Sequence, residues 1–209
     1  MNKKLHSFSA ISILFLVLSN PNFAANSPPV KGGKLPVINL PIPKDQNERN
    51  YLGLSGKGYF KIPQIKAQAV IVTILSLYCP TCQSTASGMT QVYHSIENNP
   101  DLKGKMKLIG IGAGNSPHEV EVLKEAYNIP FPLFPDKEFS IHKALGDVRT
   151  PYFIAIKINH NDGSHDVVHT QQGSFAEPEP FLEAMLEVCG LKRKDSPGMI
   201  RDFANSFTN

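Results

Sequence analysis

The feature that most constrains the fold is an unbroken apolar run that leads directly into two cysteines. Residues 69–77, Ala-Val-Ile-Val-Thr-Ile-Leu-Ser-Leu, are rich in β-branched side chains and show no alternation of polar and apolar positions. Such a run predicts a strand that is buried on both faces of a sheet. Cys79-Pro80-Thr81-Cys82 follows at once. A helix is predicted from Pro80 to Glu97, because proline is favoured in the first turn of a helix.

The rest of the pattern alternates strands with helices. Further strands are predicted over residues 105–111, 152–158 and 164–170, the last two joined by an Asn-Asp-Gly turn. Helices are predicted from the Ser116 N-cap onward, over residues 138–145 and over residues 177–188. This order predicts an α/β fold with a central mixed sheet flanked by helices.

Four parts are expected along the chain. Residues 1–25 are predicted to be a signal peptide, and residues 26–50 a proline-rich linker or N-terminal arm. Residues 51–191 are expected to form the domain, and a short hairpin is predicted within residues 51–62. Residues 192–209 are expected to be a C-terminal tail, with a short helix over residues 199–207.

The N-terminus has the pattern of an export signal. Lys3 and Lys4 precede the apolar run at residues 10–18, and Ala24-Ala25 offers small residues for cleavage. The apolar run is much shorter than the roughly 20 residues that a membrane-spanning helix needs. We therefore expect a periplasmic or secreted protein with a cleaved signal, and an uncleaved membrane anchor is the alternative.

The charge of the chain argues against a nucleic-acid partner. There are 21 basic and 18 acidic residues. Lys3 and Lys4 lie in the predicted signal, which contains no acid, so the remainder is close to neutral. The sequence has no basic stripe of the kind that nucleic-acid binding requires. An apolar content of 41% and a charged content of 19% fit a globular protein.

Two cysteines three residues apart at the start of a helix have a specific chemistry. The unsatisfied backbone N–H groups there favour a thiolate on the first sulfur, and the thiolate is the attacking species in disulfide exchange. Cys79 is therefore the predicted nucleophile, and Cys82 the cysteine that resolves the mixed disulfide. A structural zinc site would need a second pair of ligands, and Cys189 is the only other cysteine. We expect no metal and no bound cofactor.

A second motif lies far downstream, where Thr150-Pro151 immediately precedes the predicted strand over residues 152–158. Together with Cys-Pro-Thr-Cys, it makes residues 65–190 resemble the extracytoplasmic thioredoxin-like proteins, a group that includes thiol reductants of cytochrome c maturation. The resemblance implies a thioredoxin-like fold and thiol–disulfide oxidoreductase activity. It also implies that Pro151 is cis and lies against the cysteine pair.

The same resemblance implies where substrates bind and what they are. Tyr78, Pro80 and Thr81 around the nucleophile, with Thr150 and Pro151 opposite, would contact an incoming polypeptide. The implied partners are protein thiols and disulfides, together with a membrane or periplasmic redox partner.

Three positions depart from the pattern of that group. Tyr78 stands where thioredoxins usually have tryptophan, and Thr73 stands where many have a buried acid. Thr85 stands where some extracytoplasmic reductants have glutamate. The sequence therefore shows no obvious proton acceptor for Cys82.

A thiol peroxidase is an alternative on the same fold. Ser76, three residues before Cys79, and the distant Arg149 resemble the hydroxyl and arginine that hold peroxide in peroxiredoxins. Val72 and Cys82 depart from that pattern, since peroxiredoxins usually have proline and glutamate at these positions.

Two further alternatives involve no catalysis. His160, His165 and His169 surround the predicted turn at residues 161–163, and His165 and His169 would share a strand face. They leave open a copper-handling protein, although the copper proteins of similar fold space their cysteines by three residues. A redox-inactive binding module is the other alternative.

Overall fold

The protein is described by a computed structural model, and residues 27–194 are the part of the chain that it describes. The predicted signal peptide, residues 1–25, and the helix predicted over residues 199–207 lie outside this part. Within residues 27–194, no helix is both long enough and apolar enough to cross a bilayer.

The segment before the central sheet forms a small module of its own. β1 (Asn39–Pro41) pairs antiparallel with β2 (Tyr59–Lys61), and α1 (Gln46–Leu52) lies between them in the chain. Asp45 begins α1 by accepting a hydrogen bond from the backbone N–H of Glu48. The hairpin predicted within residues 51–62 is wrong, because residues 51–52 complete α1 and β2 pairs with residues 39–41 instead.

This N-terminal module packs on one face of the central sheet. Leu35, Ile38 and Leu40 are buried, and they share a cluster with Leu52 and Phe60. Three residues of the segment predicted as a linker or arm, Leu35, Ile38 and Leu40, thus lie in the hydrophobic core.

The central sheet has five strands in the spatial order β5-β4-β3-β6-β7. In chain order they are β3 (Ala69–Leu75), β4 (Met106–Ala113), β5 (Leu133–Asp136), β6 (Tyr152–Asn159) and β7 (Ser164–Gln172). β3, β4 and β5 are parallel, whereas β6 is antiparallel to both β3 and β7. The predicted mixed sheet is therefore confirmed.

β3 is buried along its whole length, as its apolar sequence predicts. Successive side chains of a strand point to opposite faces of the sheet. Ala69, Ile71 and Leu75 accordingly join one hydrophobic cluster, while Val70 and Val72 join the other. The continuous apolar run follows from the need to fill both clusters.

In the described part of the chain, four helices flank the sheet: α2 (Pro80–Glu97), α3 (Pro117–Tyr127), α4 (Ser140–Ala144) and α5 (Pro178–Cys189). α2, α3 and α5 contribute their buried residues to one cluster, on the face opposite the N-terminal module. The bounds predicted for α2 and the Ser116 cap of α3 are confirmed.

We expect Leu40→Ala to lower the free energy of unfolding by about 2–5 kcal/mol, because it removes a fully buried side chain from the core. Val37→Ala is the matched control: it lies in the same segment, but its side chain is 71% exposed, and we expect a change within about 0.5 kcal/mol. Urea denaturation measures both, and equal effects would show that residues 35–40 do not stabilise the domain.

Candidate active site

The turn after β3 places Cys79 at the N-terminus of α2. Cys79 is the N-cap residue, with an extended backbone, and Pro80 occupies the first helical position. The Cys79 sulfur accepts a hydrogen bond from the backbone N–H of Cys82 over 3.2 Å. A sulfur here satisfies one of the helix's free donors, as serine or aspartate does at other N-caps.

The surroundings of Cys79 favour its thiolate. Burial alone would disfavour the charge, because Cys79 is partly shielded from water. Hydrogen bonds from the side chains of Cys82 and Thr150 outweigh that cost, and backbone N–H groups at the start of α2 add to them. The net effect is a lowered pKa for the Cys79 thiol.

Cys82 lies one helical turn further along and behaves in the opposite way. Its side chain is buried, and burial together with the hydrogen bond to Cys79 raises the pKa of Cys82 to about 12. Both cysteines are free thiols in the structure. As the pH rises, this pair therefore ionises first at Cys79, with Cys82 as a neutral donor beside it.

The loop before β6 brings Thr150 and Pro151 to the cysteines. β6 runs antiparallel to β3 with Tyr152 opposite Ile74, so the start of β6 lies at the end of β3 where Cys79 follows. The Cys79 sulfur lies 3.5 Å from the carbonyl oxygen of Thr150. The Thr150–Pro151 peptide bond is cis, as the resemblance implied.

The residues beside the cysteines differ in exposure. Tyr78, Pro80 and Thr81 are exposed, Thr150 is half-buried and Pro151 is buried. A partner that approaches Cys79 therefore meets Tyr78, Pro80 and Thr81 directly.

Neither a protein-family model nor a curated protein sequence matches this chain. Solved structures match it at low sequence identity. A thiol:disulfide interchange protein of the thioredoxin family from Chlorobium tepidum TLS is 17% identical, with a TM-score of 0.52 over 77% of this chain and 99% of its own. StoA from Bacillus subtilis is 18% identical, with a TM-score of 0.50 over 72% of this chain and 96% of its own. A candidate thiol:disulfide interchange protein DsbE from Chlorobium tepidum is 14% identical, with a TM-score of 0.58 over 77% and 98%.

The chain has a thioredoxin-like fold. The structure thereby confirms the fold that the two motifs implied. In this thioredoxin-like fold, the cysteine pair and Thr150-Pro151 meet at the end of the sheet where β3 ends and β6 begins.

The turn that carries Cys79 depends on Asn115, which the sequence reasoning missed. Asn115 is fully buried after β4, and its side-chain oxygen accepts a hydrogen bond from the backbone N–H of Leu77 over 2.9 Å. From the helix side, the side chain of Gln83 donates to the carbonyl oxygen of Leu77 over 2.8 Å. One feature could have indicated this contact. β3 and β4 are parallel neighbours, so the residues that follow the two strands lie close together at the same end of the sheet.

Tyr78 connects the same turn to α3. Its exposed ring reaches Glu119, to which the phenolic hydroxyl donates a hydrogen bond. Glu119 also accepts from the backbone N–H of Ser116 over 2.7 Å, within the capping box of α3. The hydrogen bonds from Tyr78 and Ser116 lower the pKa of Glu119 to about 2. Tyr78, predicted as a substrate contact, thus also has a partner within the chain.

Thr73 and Thr85 stand at the two positions where related proteins have an acid, and neither provides a carboxylate that could accept a proton from Cys82. Thr73 and Thr85 are both buried. The Thr85 hydroxyl donates to the carbonyl oxygen of Thr81 over 2.6 Å, so it is engaged within α2 itself.

Of the two residues of the peroxidase alternative, only Ser76 lines the cavity beside Cys79. Ser76 lines a cavity beside Cys79, with Asn115 Nδ2 3.5 Å from its hydroxyl. Arg149 is exposed and does not line that cavity.

The histidines around the turn between β6 and β7 are also not arranged as predicted. A register shift after Ala155 pairs His169 with Ala155 and His165 with Ile158. Ala155 and Ile158 belong to opposite faces of the sheet, so the shared face predicted for His165 and His169 is wrong. Within residues 27–194, no three of the His, Cys, Asp and Glu side chains are grouped so as to hold a metal ion.

We expect the alkylation rate of Cys79 by iodoacetamide, in a Cys189→Ala background, to rise with pH around a midpoint below the ordinary 9.0. In Cys82→Ala the midpoint moves to higher pH, because the thiolate loses a hydrogen-bond donor and more of Cys79 stays protonated at a given pH. Cys82→Ser, which retains a donor, is the control and shifts less. An unchanged midpoint in Cys82→Ala would contradict this account.

We expect Asn115→Ala to reduce the free energy of unfolding by about 1–3 kcal/mol, since it leaves the partly buried Leu77 N–H without its acceptor. Asn159→Ala is the control, because Asn159 also accepts a backbone N–H bond but is exposed at the β6–β7 turn. Urea denaturation compares the two variants. If Asn115→Ala costs no more than Asn159→Ala, the turn does not depend on this side chain.

Proposed function

We propose that this protein is an exported thiol–disulfide oxidoreductase that exchanges disulfides with protein partners through Cys79 and Cys82. The observation that carries the proposal is that the pKa values of the two neighbouring cysteine thiols are shifted in opposite directions. Cys79 is accessible, with a lowered pKa, whereas Cys82 is buried, with its pKa raised to about 12. Exchange needs one accessible thiolate that attacks and one shielded thiol that acts second.

The reaction proceeds in two exchanges. The Cys79 thiolate attacks one sulfur of a partner disulfide, a Cys79–partner disulfide forms, and the partner's other sulfur leaves as a thiolate. Cys82 then gives up its proton, which the departed thiolate takes, and attacks the Cys79 sulfur. The partner's second sulfur leaves as a thiolate, and Cys79 and Cys82 are joined by a disulfide. Two electrons have passed to the partner, and the reverse sequence oxidises a dithiol.

The residues around Cys79 provide the binding surface for the partner polypeptide in this proposal. Tyr78, Pro80 and Thr81 are exposed beside the nucleophile, and Thr150 and Pro151 lie across from it. An extended partner segment between these two groups would bring its sulfur onto Cys79.

Export and electron supply complete the proposal. Lys3, Lys4 and the apolar residues 10–18 support transport out of the cytoplasm, into a periplasm or an equivalent space. In an oxidising compartment, a cysteine pair that works as a reductant needs a redox partner in the membrane or the periplasm to regenerate its thiols. The reduction potential of the pair, measured against glutathione buffers, determines in which direction the protein works.

We expect Cys79→Ser to abolish disulfide exchange and Cys82→Ser to accumulate mixed disulfides with protein partners, because Cys82 is then absent from the second step. Insulin reduction and non-reducing gels measure the two outcomes. Cys189→Ala is the control and retains turnover, since Cys189 is buried at the C-terminal end of α5 and takes part in neither exchange of the proposed mechanism. Normal turnover by Cys82→Ser would refute the two-cysteine mechanism, and rapid peroxide consumption by the wild type would favour the peroxidase alternative.

A further inference from the structure

Residues 148–150, which lie between α4 and β6, bring the carbonyl oxygen of Thr150 to within 3.5 Å of the Cys79 sulfur. Within the described part of the chain, no backbone group of these three residues forms a hydrogen bond with another backbone group. In helices and sheets, backbone groups satisfy one another in this way. Any hydrogen bond within the described chain that fixes this segment therefore involves a side chain.

His142 supplies such a hydrogen bond from α4. Its Nε2 lies 2.8 Å from the carbonyl oxygen of Val148. A carbonyl oxygen can only accept, so Nε2 carries the hydrogen and donates it. Among the residues that the structure describes, this bond and the contact of Cys79 with Thr150 are the two hydrogen bonds made by the backbone of residues 148–150.

The contact between Cys79 and Thr150 does not last through disulfide exchange. A Cys79 thiol donates to the Thr150 carbonyl oxygen, but a thiolate has no hydrogen to donate, and neither has a sulfur in a mixed disulfide. In those two states the bond from His142 is the remaining hydrogen bond to the backbone of residues 148–150 within the described chain. His142 therefore holds this segment at the stages in which Cys79 reacts.

The position of His142 is itself fixed. Its backbone N–H donates to Asp136 over 2.8 Å, and this buried carboxylate at the end of β5 also accepts from the backbone N–H of Ile141 over 3.0 Å. The imidazole ring packs edge-on against Phe139, with the ring centroids 5.7 Å apart. Its Nδ1 lies 3.2 Å from a carboxylate oxygen of Asp147 without a hydrogen bond, and Asp147 is mostly exposed to water. The bond through Nε2 thus connects the sheet, by way of Asp136 and α4, to residues 148–150.

The ionisation of Cys79 reports on the position of Thr150. Burial raises the pKa of the Cys79 thiol, and hydrogen bonds from Cys82 and Thr150 lower it. Tyr78 and His142 are the other ionisable residues that line the cavity beside Cys79, and none of the lining residues is an Asp, Glu, Lys or Arg. A displacement of Thr150 is therefore expected to change the ionisation of Cys79.

We propose that His142 is a positioning residue for disulfide exchange, which holds the loop before β6 so that Thr150 stays beside the Cys79 sulfur. The proposal rests on the proposed function, because the exchange at Cys79 is the reaction that Thr150 would assist. His142 acts through the carbonyl group of Val148, two residues before Thr150, and takes no part in the bonds that form and break.

The test compares variants that remove or retain the donor of His142. His142→Phe retains a planar ring without the donor, and His142→Ala removes both. His142→Gln retains an N–H donor on a side chain of similar reach. His160→Phe is the matched control, because His160 Nε2 also lies 2.8 Å from a backbone carbonyl oxygen, that of Ala67, but His160 follows the end of β6 that is remote from Cys79.

Two measurements are made on each variant: the pH midpoint of Cys79 alkylation, in the Cys189→Ala background, and the initial rate of insulin reduction. We expect His142→Phe and His142→Ala to move the midpoint to higher pH, because the hydrogen bond from Thr150 that favours the thiolate is weakened. Insulin reduction should slow by about fivefold, the effect that loss of one hydrogen bond commonly has on a rate. His142→Gln and His160→Phe should retain the wild-type midpoint and rate.

A measurement on the wild type makes the test independent of whether the variants fold. Nitrogen NMR of the imidazole ring shows whether Nε2 of His142 carries a hydrogen, and the positioning proposal is wrong if it does not.

The variants decide the rest. If folded His142→Phe and His142→Ala retain the wild-type midpoint or the wild-type rate, the positioning proposal is wrong and the proposed function stands. The same holds if His142→Gln behaves like His142→Ala, or if His160→Phe shows equal changes. If the wild type reduces no insulin, the proposed function itself fails, and the positioning proposal fails with it. Changes in both measurements that glutamine reverses support the positioning proposal.

Discussion

The hydrogen bond from the Cys82 backbone N–H to the Cys79 sulfur is the interaction on which the chemistry of this protein depends. It exists because α2 begins at Pro80, directly behind the turn that follows β3, and because the first N–H groups of a helix have no partner within it. The same interaction caps the helix and stabilises negative charge on the sulfur. One hydrogen bond thus contributes both to the stability of the helix and to the reactivity of the cysteine, since a thiolate is a better acceptor than a thiol.

The order of the strands explains how distant residues reach this contact. β3 lies between β4 and β6, so the loop after β4 and the loop before β6 both end beside Cys79. From the first loop, Asn115 holds the backbone at Leu77, and from the second, Thr150 approaches the sulfur. The site is therefore built from three segments, and each owes its place to the pairing of β3 with its two neighbours.

Two residues with left-handed backbone conformations lie beside the cavity next to Cys79. Phe139 and Gly114 both adopt positive φ values, and they lie against each other at the rim. Glycine adopts this conformation readily, whereas phenylalanine does so at a cost in free energy. The opposite face of the sheet is covered by the N-terminal module, with Leu40 and Phe60 in its core.

From β3 onward, the sequence alone determined the strand–helix order apart from β5, the place of the cysteine pair at the start of α2 and the mixed sheet. It did so because a doubly buried strand, a proline at the first turn and a capping serine are local signals that act within a few residues. The tertiary structure decided what depends on pairing between distant segments. The partner of β2, the buried role of Asn115 and the contact of the Phe139 ring with Gly114 follow from strand register and loop geometry. Likewise, the bulge in β7 places His165 and His169 on opposite faces of the sheet, since one inserted residue reverses the alternation of side chains. No local sequence pattern predicts this bulge.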